Sequence, residues 1–79
     1  SPKPWPSLLV VPASLIPNWC AEIERFAPAL RKLVVHPSEI EPNDPDLPAR
    51  CDAMDVVITT YGMLTRLQWL RERSWTLAV

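Results

Sequence analysis

The chain has 79 residues, 48% of them apolar, and a formal net charge of −1. That length allows one small domain, and that apolar share is too high for a disordered tail. The near-neutral balance advertises neither nucleic acid nor a membrane surface, no apolar run approaches the roughly 20 residues that span a bilayer, and the proline-rich start "SPKPWPS" lacks the apolar core of a signal peptide, so the expectation is a soluble, intracellular protein or part of one.

Four short apolar runs recur along the chain: "SLLVV" (7–11), "KLVV" (32–35), "DVVIT" (55–59) and "TLAV" (76–79). None alternates with polar residues, which is the pattern of strands buried on both faces of a parallel sheet. The segments between them are long enough for parallel crossovers.

The first crossover predicts a helix. Ser14 is its expected N-cap, and Pro17 falls in the first turn, where a missing N–H costs nothing. At 100° per residue, Ile16, Trp19, Cys20, Ile23, Phe26 and Ala27 share one arc of about 120°, with Asn18, Glu22 and Arg25 opposite. Trp19 is therefore expected in the core. Pro28 ends the helix by disfavouring helical geometry at Ala27. The second crossover begins with His36, read as a loop residue, and "HPSEIEPNDPDLP", an exposed acidic, proline-rich loop. A short helix over "LPARCDAM" follows. The third begins at "TTYG" and predicts one helix with Met63, Leu64, Leu67 and Leu70 on its buried stripe. Tyr61 is expected to pack partly buried beneath it. Trp69 lies off the stripe, either covered by another segment or simply exposed. Arg66, Arg71 and Arg73 give that helix a basic edge interrupted by Glu72, most simply a solvated face. Trp75 is expected to pack beside the last strand, and Trp5 sits in the proline-rich lead-in (1–6).

The whole reads βαβαβαβ, an open α/β sheet of about four mostly parallel strands. Gly62 is the one glycine, so no phosphate-binding glycine loop is present. Cys20, Cys51 and the single His36 form no zinc-ligand spacing; two reduced, largely buried thiols are expected, with a Cys20–Cys51 disulfide as the alternative left open. No metal or cofactor site is expected within these residues. The last run ends at the last residue, so the loop beyond its carboxyl end, where open α/β sheets place functional groups, is missing. The chain reads as cut from something larger.

Two stretches carry a specific likeness. "LLVVPASLIPNWCAEIERFAP" (8–28) resembles motif Ia of the Swi/Snf-type helicase-like ATPases of superfamily two: strand, Pro-x-Ser-Leu turn, then Asn-Trp, Glu-Ile and Phe-x-Pro. "DVVITTYGML" (55–64) resembles motif Ib, where Thr-Thr-Tyr follows the strand, and "RSWTLAV" matches the lead-in to the Walker B strand. Order and spacing agree. The resemblance implies a fragment, residues 1–79, of the first RecA-like lobe of an ATP-dependent DNA translocase or remodeller. Its Walker A lysine loop would precede these residues and its Asp-Glu pair would follow them. ATP and magnesium are then expected for the parent and no ATP hydrolysis by this segment alone. Pro37 stands where family members often carry glycine, and the acidic loop (37–48) departs from the likeness as well.

The same resemblance implies sequence-independent contact with the phosphate backbone of double-stranded DNA. The candidate residues are Pro12, Ser14, Leu15 and Asn18 at the first turn, and Thr59, Thr60 and Tyr61 at the second. Helix starts offer unpaired N–H groups and hydroxyls can donate to phosphate oxygens, although capping alone also accounts for Ser14 and Thr60. A second lobe is the implied protein partner, and self-association through bare sheet edges is plausible for the isolated segment. The expected compartment is the bacterial cytoplasm at the nucleoid or the eukaryotic nucleus. Two other readings stay open: a free-standing, non-catalytic α/β interaction module, and a small enzyme, for which no Ser-His-Asp, Cys-His or paired-carboxylate set stands out.

Overall fold

The computed structural model describes residues 6–73 and Trp75. The chain runs through β1 (Ser7–Val10), a 3-10 turn (Ala13–Leu15), α1 (Ile16–Phe26), β2 (Lys32–Val35), α2 (Leu47–Asp52), β3 (Val56–Thr59), α3 (Tyr61–Arg66) and α4 (Gln68–Glu72). The expected strand at 76–79 and Trp5 lie outside the described residues. No helix among the described residues is long and apolar enough to cross a membrane.

The three strands pair in parallel in the order β1-β3-β2. Register aligns Ser7, Val56 and Lys32 at one edge, and Val10, Thr59 and Val35 at the other. Asp55 ties the amino edge together. Its carbonyl accepts from Ser7 N–H at 3.0 Å, its N–H donates to the Arg31 carbonyl at 2.8 Å, and its carboxylate accepts from Arg31 N–H at 2.9 Å.

Strand side chains alternate between faces, so the unbroken apolar runs fill two cores. Leu8, Leu33, Val35 and Val57 meet Leu47 and Cys51 of α2, Met63 of α3, Leu67, and Leu70 of α4. Val11, Val34 and Ile58 meet Ile16, Cys20 and Ile23 of α1 on the opposite face. The result is the α/β/α layering that the strand pattern predicts. The sheet separates the two cysteines. Burial pushes both thiols up, that of Cys51 to about 11.

The apolar arc of α1 is only half covered. Ile16, Cys20, Ile23 and Ala27 lie together on one side, whereas Trp19 and Phe26 sit about 70–90° round the helix from their mean direction. Trp19 is 39% exposed and Phe26 73% exposed, so the expectation of a core Trp19 fails. The depression along that flank is lined by Asn18, Trp19, Glu22, Ile23, Phe26 and Ala27.

The third crossover is two helices, not one. Leu67 is extended (φ −106°, ψ 100°) between α3 and α4. The break strands the carbonyls of Leu64 and Thr65. Arg71 Nη1 donates to both, to Thr65 at 2.8 Å. The buried stripe nevertheless stands, since Met63, Leu67 and Leu70 are all buried. Arg73, unlike the exposed Arg71, turns inward. Its guanidinium pairs with Asp52, donates to the Pro48 carbonyl at 3.2 Å and lies 5.2 Å from the Trp75 ring. Two of the three arginines expected on a solvated edge are therefore structural braces. Trp69 packs partly buried against the first core and shares a depression with Pro42, Asn43, Asp44, Pro45, Pro48 and Leu67. The acidic loop is what borders it.

The two sheet edges differ. The outer side of β2 faces a groove shared with Cys20, Glu24, Glu39 and Ile40. The outer side of β1 pairs with no described residue.

Two outcomes are expected. In urea titrations, Leu70→Ala should lower stability by about 2–5 kcal/mol, because a fully buried side chain is removed. Phe26→Ser should stay within about 0.5 kcal/mol, and equal losses would mean that the flank of α1 is packed after all. With a thiol reagent at pH 8 under native conditions, mass spectrometry should find Cys20 modified well before Cys51. Matched rates would contradict the burial of Cys51.

Candidate nucleic-acid interface

All three strands release the chain at one edge. Beyond Val10, Val11 N–H still donates to the Thr59 carbonyl at 2.9 Å. Pro12 (φ −60°, ψ 146°) then turns the backbone out of the sheet, and Leu15 N–H closes the 3-10 turn on the Pro12 carbonyl at 2.9 Å. Pro12, Ala13, Ser14 and Leu15 are all exposed. Ala13 and Ser14 open this turn, so their N–H groups have no acceptor within it.

Ser14 does not cap α1. The N-cap position is Leu15, and neither it nor Pro12 makes a side-chain capping bond. The inserted 3-10 turn moves the helix start to Ile16, which carries Ser14 past the geometry that capping requires. Pro17 falls within the first two residues of α1, as its missing N–H allows. The Ser14 hydroxyl makes no hydrogen bond with a described residue. Asn18 is exposed one turn along.

The second turn behaves as the sequence implies at Thr60 and differently on either side of it. Thr60 is extended (φ −118°, ψ 163°), and its Oγ1 accepts from Met63 N–H at 3.2 Å, so it caps α3. Thr59 is fully buried, and its hydroxyl donates to the Val35 carbonyl at 2.9 Å. The strand alternation that turns Thr60 toward the edge turns Thr59 inward, so Thr59 is a brace between β3 and β2 and is not placed to meet a phosphate. Tyr61 was expected beneath the helix but is 69% exposed, because it is the first residue of α3 and points outward. Gly62 beside it is also exposed, and a Cβ there would meet only Thr60 Oγ1 at 3.7 Å, an ordinary contact. Nothing in the fold therefore demands glycine at this position.

The row so formed, Pro12, Ser14, Leu15, Asn18, Thr60, Tyr61 and Gly62, carries no formal charge. Its chemistry is that of hydroxyls, an amide and backbone N–H groups. Sequence reasoning passed over Gly62, for which the absence of any turn requirement is visible only in three dimensions. The one glycine, Gly62, is the second residue of α3 and lies in no glycine-rich loop.

Similar proteins agree with this architecture. The family model of the SNF2-related domain matches residues 2–79. A putative ATP-dependent helicase/translocase of Bacillus subtilis, YwqA, is 36% identical over 73% of this chain and 6% of its own length. The ATP-dependent helicase FUN30 of Saccharomyces cerevisiae is 32% identical over 98% of this chain and 7% of its own length. The chain thus spans under a tenth of these relatives. The solved structure of the Sulfolobus solfataricus SWI2/SNF2 ATPase core in complex with double-stranded DNA superposes with a TM-score of 0.75 and 32% identity, covering 95% of this chain and 14% of that one. With the family model matched across nearly every residue and the three-stranded parallel sheet found again in a solved ATPase core, the chain belongs to the SNF2-related domain family, the Swi/Snf-type helicase-like ATPases.

Proposed function

We propose that these residues form the middle of the first RecA-like lobe of an ATP-dependent DNA translocase or remodeller, where they grip the backbone of double-stranded DNA. The observation that carries the reading is the row at the carboxyl edge: exposed Ser14 with an unused hydroxyl, exposed Asn18, the half-buried Thr60, and exposed Tyr61 with Gly62 at a helix start. Pro12 and Leu15 shape the first turn and contribute backbone. Thr59 supports the row from inside. Relatives whose names describe helicases and translocases, and a structural neighbour solved on double-stranded DNA, support this reading.

Contacts of this kind go to phosphate and sugar, so they set register and carry no base sequence. An uncharged row releases few counterions, and the acidic loop from Glu39 to Asp46 works against it, so affinity for this segment alone should be modest. ATP and magnesium belong to the parent, and no ATP-dependent step is assigned to the residues of this chain. The parent would work with a second RecA-like lobe, at the nucleoid in a bacterium or in the nucleus of a eukaryote. The uncovered Trp19–Phe26 flank favours a second, compatible reading, in which α1 also meets protein.

In an NMR titration with a short duplex at low salt, shifts should centre on residues 13–18 and 60–62. Shifts confined to residues 66–73 would contradict the assignment. Gly62→Ala separates fold from function. It should stabilise the chain by about 0.5–1 kcal/mol, since glycine inside a helix is costly, yet weaken duplex binding by placing a methyl group at the row. Unchanged binding would remove Gly62 from the interface. The purified chain should show no ATPase activity, and turnover that co-purifies with it would refute the division of labour proposed for the parent.

A further inference from the structure

We propose that His36 is a further phosphate contact, extending the row onto β2 and donating through its Nε2–H. The inference rests on the DNA-contact reading above. Register pairs Val35 with Thr59, so His36 and Thr60 leave the sheet side by side, one strand spacing or about 4.8 Å apart. The alternation that sends Val35 and Thr59 to one face sends His36 and Thr60 toward the other, where α1 begins.

The turn after β2 holds the ring in one state. The His36 carbonyl accepts from Glu39 N–H at 2.9 Å and from Ile40 N–H at 3.1 Å, which fixes the backbone. Pro37 takes the second position of this turn, where its ring-locked φ is suited. The His36 Nδ1 accepts from Ser38 N–H at 3.3 Å and lies 2.9 Å from Ser38 Oγ. A backbone N–H can only donate, so the neutral ring carries its proton on Nε2. That N–H meets no acceptor among the described residues, and the ring is partly exposed. An oriented, unspent donor beside Thr60 suits a phosphate oxygen.

Neighbouring charge limits where the anion sits. Ser38 and Glu39 form one wall of a groove whose other wall is Ala13, Ile16, Pro17 and Cys20. Glu39 and Glu24 line that groove, and the nearby Lys32 ammonium lies 3.7 Å from the Glu24 carboxylate. Two carboxylates keep a phosphate out of the groove, and neither His36 nor Thr60 lines it.

The test uses the 79-residue chain and a short duplex at low salt, followed by long-range 1H–15N correlation of the His36 ring. The free protein should show the Nε2–H tautomer, and duplex should shift Nε2. His36→Ala should weaken binding about threefold to tenfold, the worth of one hydrogen bond. His36→Gln, which places an amide donor near the former Nε2, should restore part of it, and Glu39→Gln should tighten it. An Nδ1–H tautomer overturns the proposal. So does His36→Ala binding like wild type while Ser14→Ala and Thr60→Ala bind weakly, a result that leaves the DNA-contact reading intact. Absence of any duplex-induced shift overturns both.

Discussion

The rest of the structure hangs on the placement of β3 between two partners. It is the last strand in the described chain and the middle strand of the sheet, so β1 and β2 meet only through it. Val57, Ile58 and Thr59 are completely buried in consequence. A strand enclosed on both faces and both edges tolerates no one-residue slip, since a slip would send each core side chain to the wrong layer. Two polar bonds pin its ends: Asp55 against Arg31 at the amino edge, and the Thr59 hydroxyl against the Val35 carbonyl at the other. The alignment of the three exits follows from this, and with it the row of groups at that edge.

That row is built from dipoles instead of charges. Thr60 caps a helix of six residues, and Arg71 closes its far end by taking the carbonyls that the break at Leu67 exposes. A short helix with both ends satisfied by side chains is held in place without relying on its own length. Two nearby basic side chains are engaged within the fold, Arg71 on α3 and Arg73 on α2. Under the reading proposed above, the row would orient a phosphate backbone more than attract it.

Much of the fold was legible because buried parallel strands are uninterrupted apolar runs: β2 occupies the expected residues and the other two differ by one. The cap at Thr60 and the stripe Met63–Leu67–Leu70 were legible for the same reason, that local spacing determines them. What failed was relational. The arc of α1 is apolar over Trp19 and Phe26, but periodicity says only that a face seeks cover, not whether cover is at hand. Ser14 looks like a cap until a 3-10 turn displaces the helix start. Thr59 and Thr60 are identical in composition and opposite in role, and only the pleat separates them. The likeness to motifs Ia and Ib pointed to the two turns as candidates, whereas the withdrawal of Thr59 and the exposure of Tyr61 follow from the pleat and from where α3 begins.

The unequal edges of the sheet give it a direction of growth. Beside β2, Glu39 and Ile40 share a groove with Lys32, Leu33 and Val34, and a strand arriving there would meet the Glu39 carboxylate. Beside β1, the backbone groups of Ser7–Val10 face outward with no described neighbour. Any further strand, from the same polypeptide or from another copy, is therefore steered to one side, and the sheet extends away from the acidic loop. Extension on that side leaves β3 enclosed and leaves the row at the carboxyl edge in the same order, lengthened by one place next to Pro12.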